Sequence, residues 1–248
     1  MIFPESWEIN YLCPMHWLYA PNIQTTHGFS TRHGGVSQPP YDSLNLGGQE
    51  DDPSNIAQNR RLALAGLGID LQMVANLRQV HGCDVVLARP GAQTGDALVS
   101  NEKNIALAIS VADCYPLLFH DPVNGVIGAA HAGWRGTVAG IAANTIREMQ
   151  HLGAVTGNIQ AAIGQGISRE NFEVGEEVLQ EFRDKGFPET CISGHYIDLL
   201  QANRYVMENE GIRPDHIWSM NRCTTEADFF SYRRDKGRTG RMWAVIML

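Results

Sequence analysis

Three side chains of the types that bind transition metals lie at the ends of short apolar segments. His81 lies in the segment Q-V-H-G, Cys114 in A-D-C-Y-P and His131 in H-A-G-W-R-G. The preceding segments have the length of buried strands, so the three side chains can converge at one point of a sheet. Two imidazoles and one thiolate suit zinc or copper, and three protein ligands leave one position for water or substrate. This pattern predicts a catalytic metal site rather than a structural one.

The same residues permit two other interpretations. In the first, His131 activates Cys114 as the nucleophile of a hydrolase, and Asp113 or Asn45 orients the base. In the second, both histidines are core or loop residues whose ring nitrogens form hydrogen bonds within the protein, and Cys114 is an inert buried thiol. The spacing alone leaves all three interpretations open, because the donors are much farther apart in the chain than those of a short zinc motif.

Other polar residues near these segments can position a polar substrate, although each also has a structural interpretation. Arg135 precedes a pattern of helical period, so we expect it at a helix N-terminus, where free N–H groups attract an anion such as phosphate. Asn45 can instead cap its loop, and Asp96 can form a turn. The full set is Asn45, Arg60, Asp96, Asp113, Arg135 and the pair Arg233 and Arg234.

The elements that must position these residues follow from the hydrophobic pattern. A helix is predicted after the capping pair Asp52 and Pro53, ending near Gly66, and three more are predicted over 138–149, 174–182 and 199–210. Strands are predicted over 74–87 with a turn at Gly82, and over 105–111, 115–119, 125–130, 159–163, 217–220, 229–232 and 242–248. Strands and helices do not alternate regularly, which predicts an α+β fold with mixed sheets.

The composition of the 248 residues restricts the class of protein. Hydrophobic residues make up 44% of the chain and charged residues 19%, which is typical of a globular protein with a sizeable core. A net charge of −8 disfavours binding to a nucleic-acid backbone, so we expect a small-molecule partner. No segment approaches the roughly 20 apolar residues of a membrane span. The sequence carries no signal for an oligomeric state.

The cysteines and the first residues predict the compartment. The chain has five cysteines, an odd number without a C-x-x-C pair, which fits neither a disulfide framework nor a zinc ribbon. No basic stretch followed by an apolar run and a cleavage site lies near Met1, so we expect a cytoplasmic protein. Apart from Cys114, the cysteines are expected to be structural; they are Cys13, Cys83, Cys191 and Cys223.

The chain resembles the YfiH-like family along nearly its whole length. The matching segments are 29–37, 41–47, 52–53, 59–61, 79–82, 112–117, 131–136, 172–175, 229–234 and 239–241. The resemblance implies one domain over residues 1–248, a layered α/β/β/α sandwich similar to that of a bacterial toxin deamidase. It also implies that the family's metal ligands correspond to His81, Cys114 and His131.

Members of this family are described with four different activities. They are phosphorolysis of purine nucleosides, including methylthioadenosine, to a free base and ribose 1-phosphate, deamination of adenosine, laccase-like oxidation, and removal of misincorporated L-serine from a peptidoglycan precursor. A multicopper oxidase needs closely spaced H-x-H units, and none occurs among the nine histidines of this chain. The usual nucleobase-deaminase signature, H-x-E with P-C-x-x-C, is also absent.

We therefore expect a zinc-dependent purine nucleoside phosphorylase with a secondary adenosine deaminase activity, in which Cu2+ can replace Zn2+. The alternatives are a peptidoglycan-precursor editing hydrolase and a copper-dependent polyphenol oxidase side activity; a metal carrier is less favoured, because arginines beside the ligands suit turnover better than storage. The partners would be a nucleoside and phosphate. The expected catalytic residues are Cys114, His131, His81 and Asp113, and the expected substrate-binding residues are Asn45, Arg60 and Arg135.

Overall fold

A computed structural model describes residues 17–48 and 50–248 of the chain, so Cys13 lies outside the described residues. The strands are β1 Trp17–Leu18, β2 Thr26–Ser30, β3 Val74–Arg78, β4 Val85–Leu87, β5 Gly91–Thr94, β6 Ala97–Ser100, β7 Ala106–Val111, β8 Tyr115–Asp121, β9 Val126–Ala132, β10 Gln160–Ile163, β11 Ile192–Ser193, β12 Tyr196–Ile197, β13 Ile217–Ser219 and β14 Met242–Met247. The α-helices are α1 Pro53–Ala65, α2 Trp134–Val138, α3 Ile141–His151, α4 Glu176–Asp184 and α5 Leu199–Asn209. None of the helices in these ranges has the length and apolar character needed to cross a membrane.

The strands form two mixed sheets of six strands each. Sheet A has the order β1-β2-β14-β7-β3-β5, and sheet B has the order β13-β10-β8-β9-β6-β4. In sheet A, β3 runs parallel to β7 and β5, whereas β14 is antiparallel to both of its neighbours. In sheet B, β8 and β9 form a long antiparallel hairpin at the centre. The expected α+β fold with mixed sheets is confirmed.

Alternating apolar residues along the central strands bury both faces of each sheet. In β14, Ala244 and Ile246 belong to the core between the two sheets, whereas Trp243 and Val245 pack with residues of α1 on the opposite face. The outer face of sheet B packs against α3, α4 and α5, as Ile146 of α3 illustrates. The resulting layers are a helix, two sheets and a second set of helices, which is the expected α/β/β/α sandwich.

The local predictions from sequence succeeded where capping residues or long apolar runs were present. Helix α1 begins at Pro53, and the Asp52 side chain accepts a hydrogen bond from the Ser54 N–H at 2.8 Å. The predicted helix over 138–149 is divided, because Gly140 adopts a φ of 86° between α2 and α3. The two predicted strands of 74–87 exist, but β3 belongs to sheet A and β4 to sheet B.

The predicted strand over 229–232 is wrong. Phe229 and Phe230 are fully buried, yet this segment forms a turn-rich loop. The guanidinium group of Arg234 donates hydrogen bonds to the carbonyl oxygens of Thr225, Glu226 and Phe229. These carbonyl groups are therefore satisfied without a neighbouring strand, so an apolar run can be buried here as a loop.

Candidate metal centre and its cavity

The three predicted ligands lie together in the structure. One ligand atom from each of His81, Cys114 and His131 lies within 4.8 Å of the others. Cys114 directly precedes β8, and His131 lies in β9 opposite Pro116, while His81 lies in the loop after β3. The two imidazole rings have centroids 4.8 Å apart and are nearly perpendicular. The β8–β9 hairpin and one loop thus bring together donors that are distant in sequence.

A fully buried carboxylate, Asp96, holds both histidines. Its Oδ1 atom accepts hydrogen bonds from Nδ1 of His131 and from the backbone N–H of His81, each at 2.9 Å. An ionised carboxylate only accepts, so Nδ1 of His131 carries the hydrogen and Nε2 is left to act as the metal donor. The pattern of a carboxylate, a histidine and a metal is a common arrangement that fixes the tautomer and orientation of the ring.

The same carboxylate shapes the loop that carries His81. Oδ2 of Asp96 accepts hydrogen bonds from the N–H groups of Gly82 at 2.7 Å and Val80 at 3.2 Å. His81 itself has a φ of 61°, a backbone conformation that is costly for a residue with a side chain. The three N–H groups that converge on Asp96 compensate for this conformation. The position of the His81 ring therefore depends on Asp96, which lies in the connection between β5 and β6.

Two further features fix the distances within the centre. The side-chain amide of Gln79 exchanges two hydrogen bonds with the backbone of Ser110, both at 2.8 Å, and so anchors the loop to the end of β7. A Cβ atom on Gly133 would lie 2.9 Å from the Cys114 sulfur and 3.4 Å from a carbon of the His81 ring. Glycine at this position leaves the space that the two ligands occupy.

The charges of the centre favour a thiolate. Burial alone would raise the pKa of Cys114, but the charges and hydrogen bonds of His131 and His81 lower the pKa to about 6. Burial alone would lower the pKa of His131, but the charge of Cys114 and the hydrogen bond to Asp96 raise the pKa to about 9. Both shifts favour the pair of a thiolate and an imidazolium over the neutral thiol and imidazole. A thiolate is the form that binds a metal or acts as a nucleophile.

The centre opens into a cavity of about 720 Å³, a size typical of small-molecule sites. Its walls combine aromatic rings, arginines and a few uncharged polar groups. The residues that matter below are Trp134, Arg135, Phe172, Tyr232, Arg233 and Arg241. The arrangement can hold a planar group against aromatic side chains while an anionic group meets a guanidinium.

Two of the expected site residues other than the ligands line this cavity. Asp113 lies beside Cys114, but its Oδ1 atom accepts from the Thr224 hydroxyl at 2.6 Å and its Oδ2 atom from the Arg233 N–H at 2.7 Å. Asp113 thus ties two loops to the start of β8. Arg135 also lines the cavity, but it lies within the five-residue helix α2 instead of preceding a long helix. Arg135 is the second residue of α2, so it lies at a helix N-terminus as expected, but Gly140 separates this short helix from α3.

The other two expected substrate-binding residues do not line the cavity. Asn45 is buried beside a smaller cavity of about 310 Å³, and its Oδ1 atom accepts from the N–H groups of Gly47 and Arg241. Nε of Arg60 donates to the Leu46 carbonyl at 2.8 Å, and its guanidinium lies 4.8 Å from the centre of the Trp243 ring. Arg60 lies away from this cavity because α1 packs on the outer face of sheet A, and its contact with a substrate stays a prediction.

Sequence reasoning missed the roles of Asp96 and Arg241. Asp96 was considered as a turn residue or a substrate contact, because nothing in its own segment indicates that it would bind a loop 14 to 16 residues earlier. Arg241 lies within a segment that matches the family, and this was its only signal. Both residues depend on contacts between segments that only the fold brings together.

Comparisons with known proteins show the family of this chain. A family model described as multi-copper polyphenol oxidoreductase laccase matches residues 26–248. Purine nucleoside phosphorylase YfiH of Escherichia coli is 39% identical, with 88% of this chain and 92% of the relative covered. The chain belongs to the YfiH-like family.

Another relative has a higher sequence identity to this chain, and a solved structure superimposes on most of it. A purine nucleoside phosphorylase of Deinococcus radiodurans is 51% identical to this chain, with 93% of this chain and 92% of the relative covered. The crystal structure of YlmD from Geobacillus stearothermophilus superimposes with a TM-score of 0.87 at 36% identity, covering 93% of this chain and 95% of the other. The similarity to YlmD extends over the whole two-sheet architecture.

The donor set of this YfiH-like chain fits a single metal ion. Two imidazoles and one thiolate within 4.8 Å of one another match the ligand types of zinc and copper. Asp96 supplies the carboxylate that commonly orients a ligating histidine. The adjoining cavity leaves one side of the site accessible, as a catalytic centre requires.

Proposed function

We propose that this protein is a zinc-dependent purine nucleoside phosphorylase that cleaves adenosine, inosine and methylthioadenosine. The observation that supports this most strongly is the three-donor centre at the base of a cavity lined by both aromatic rings and arginines. The names of the relatives from Deinococcus radiodurans and Escherichia coli support the same activity. The substrates would be a nucleoside and inorganic phosphate.

His81, Cys114 and His131 would hold the ion, which acts as a Lewis acid when bound. Asp96 keeps Nδ1 of His131 protonated, so that the ring presents Nε2 to the centre. The aromatic wall, which includes Phe172, gives the purine a surface on which to stack. A guanidinium group in the cavity, such as that of Arg135, attracts the phosphate that must approach the sugar carbon.

The test is to incubate the zinc-loaded protein with adenosine, with and without phosphate, and to identify the products. We expect adenine and ribose 1-phosphate only when phosphate is present. Inosine would show the secondary deaminase activity, for which the same centre would supply the reacting water. If neither set of products forms, the nucleoside proposal is wrong.

A second candidate function follows from the position of His131 between Cys114 and Asp96. A cysteine, a histidine and a carboxylate in this order are also the parts of a thiol hydrolase, and the low pKa of Cys114 suits a nucleophile. Its substrate would be an amide, as in the editing of a peptidoglycan precursor that contains L-serine. Amide cleavage that survives removal of metal by a chelator and stops on alkylation of Cys114 would support this alternative.

Copper in the same centre would account for a polyphenol oxidase side activity. The family description names a multi-copper enzyme, whereas the described residues contain one cluster of this type, with three donors. A single ion at this cluster suits a minor oxidase activity better than multicopper chemistry. Oxidation of a phenol that appears with copper and disappears with zinc would support this interpretation.

A further inference from the structure

Three arginines that line the cavity lack a carboxylate partner. Arg135, Arg233 and Arg241 form no ion pair within residues 17–48 and 50–248. Elsewhere on the described surface, arginines commonly pair with acidic side chains, as Arg213 does with Asp215 at 2.7 Å. Three guanidinium groups without an ion pair therefore line one cavity of a chain whose net charge is −8.

The carboxylate that lines this cavity already accepts hydrogen bonds from other groups. Asp113 is the acidic residue among the described residues that line the cavity, and both of its oxygens accept hydrogen bonds. One of the donors is the Arg233 backbone N–H, so this contact leaves the Arg233 guanidinium unneutralised. The positive charge in the cavity remains available for a ligand.

Each guanidinium is nevertheless held in place by neutral groups. Nη2 of Arg233 donates to the Glu173 carbonyl at 3.0 Å, and Nη1 of Arg241 donates to the carbonyls of Thr239 and Gly240. The guanidinium carbons also lie over aromatic rings, at 4.4 Å for Arg135 on Trp134, 5.5 Å for Arg233 on Phe172 and 5.9 Å for Arg241 on Tyr232. Carbonyl groups and rings orient a guanidinium without cancelling its charge.

We propose that Arg135, Arg233 and Arg241 form a subsite for a phosphate group in this cavity. Guanidinium groups bind phosphate oxygens in pairs through parallel N–H donors, and three of them suit a dianion with several acceptor oxygens. The phosphate is either free phosphate, in which case the subsite rests on the proposed phosphorolysis, or the phosphate ester of a nucleotide. Both sources present the same chemistry to the arginines.

Calorimetric titration of the zinc-loaded protein tests this subsite without relying on turnover. The ligands are inorganic phosphate, adenosine and adenosine 5′-monophosphate, and the proteins are the wild type, Arg233→Gln and Arg241→Gln. Arg213→Gln is the matched control, because it removes a guanidinium from a surface ion pair. Arg233 is exposed, so its variant remains informative if loss of the partly buried Arg241 impairs folding. The zinc content of every protein is measured first.

We expect Arg233→Gln and Arg241→Gln each to weaken phosphate binding at least about tenfold, with Arg213→Gln unchanged. Free phosphate is the ligand if it binds alongside adenosine and the monophosphate binds no more tightly than adenosine. An ester is the ligand if the monophosphate binds more than about tenfold more tightly than adenosine and competes with phosphate. Unchanged phosphate and monophosphate affinities in both variants would overturn the proposal, as would the absence of binding to the wild type. Binding without phosphorolysis would contradict the proposed function alone.

Discussion

At each end of the β8–β9 hairpin, a buried aspartate accepts hydrogen bonds from the N–H groups of a turn or loop. At one end, fully buried Asp121 accepts hydrogen bonds from the N–H groups of Val123, Asn124 and Val155 and from the Asn124 amide. At the other end, fully buried Asp96 collects the N–H groups of the His81 loop. Both carboxylates shape a turn by satisfying its donors.

The difference between the ends lies in one donor. The described hydrogen-bond donors to Asp121 are backbone N–H groups and one side-chain amide, so this carboxylate orders a turn and orients no imidazole. Asp96 also accepts from Nδ1 of His131, and it thereby positions two of the three candidate metal ligands. A buried carboxylate that orders a loop becomes part of a reactive site when one of its donors is an imidazole.

The largest effect should come from removing the thiolate ligand at the Asp96 end while keeping the hydrogen bonds that Asp96 accepts. Cys114→Ala deletes the thiolate, so we expect bound zinc to fall below stoichiometric levels and phosphorolysis to fall at least about a thousandfold. Elemental analysis and a phosphorolysis assay measure both quantities. Cys223→Ala, which alters another partly exposed cysteine, is the control and should keep its zinc. A Cys114→Ala protein with full zinc content would contradict the ligand role.

The comparison is tested directly by the same substitution at each end. Asp96→Asn replaces an acceptor oxygen by an N–H2 group that faces donors, so we expect zinc affinity to fall about 10- to 100-fold. Asp121→Asn makes the equivalent change in the other turn and should leave zinc affinity unchanged. Both variants should lose roughly 1.5–3 kcal/mol of unfolding free energy, because each carboxylate bonds several donors. Competition with a chelating dye and chemical denaturation measure these values.

A result in which Asp121→Asn weakens zinc binding as much as Asp96→Asn would break the distinction between the ends. It would mean that the effect is transmitted through general stability of the hairpin. Equal losses of stability with unequal losses of zinc affinity would instead confirm that Asp96 acts through the histidines.

A smaller effect is expected from adding one methyl group at each end. The Cβ of Gly133→Ala would lie 2.9 Å from the Cys114 sulfur, so the ligands must shift and zinc affinity should fall several-fold. Gly157 lies two residues after Val155, whose N–H group Asp121 binds, and a Cβ atom at Gly157 would meet nothing within 4 Å. Gly157→Ala should therefore bind zinc like the wild type. Equal affinities in the two variants would show that the centre tolerates this displacement.

The smallest effect concerns the pH dependence of stability at the structural end. Burial acts to raise the pKa of Asp121, but hydrogen bonds from Asn124 and from the Val155 and Val123 N–H groups lower it overall. Its stabilising contribution is therefore present above the unfolded pKa of about 3.9 and is lost as the pH falls through the lower folded value. Denaturation of the wild type and Asp121→Asn from pH 7 to pH 3 should show their difference shrinking in acid. A difference that grows below pH 4 would contradict the lowered pKa.

The sequence predicted the ligands better than it predicted their supports. His81, Cys114 and His131 follow short apolar runs, and strand ends are recognisable without a structure. The sequence predicts a substrate contact for Arg60, whereas its guanidinium lies over Trp243, because periodicity does not show which face of which sheet a helix covers. The hydrophobic pattern also does not reveal that the Arg234 side chain satisfies the carbonyl groups of a neighbouring loop in place of a paired strand.

The central claim is that His81, Cys114 and His131 bind one zinc ion at the Asp96 end of the hairpin. X-ray absorption at the zinc edge of the stoichiometrically loaded protein tests it most directly, because it distinguishes sulfur from nitrogen ligands. We expect one sulfur at about 2.3 Å and two imidazole nitrogens at about 2.0 Å, with the sulfur absent from Cys114→Ala. A zinc shell of nitrogen and oxygen alone in the wild type would contradict the account.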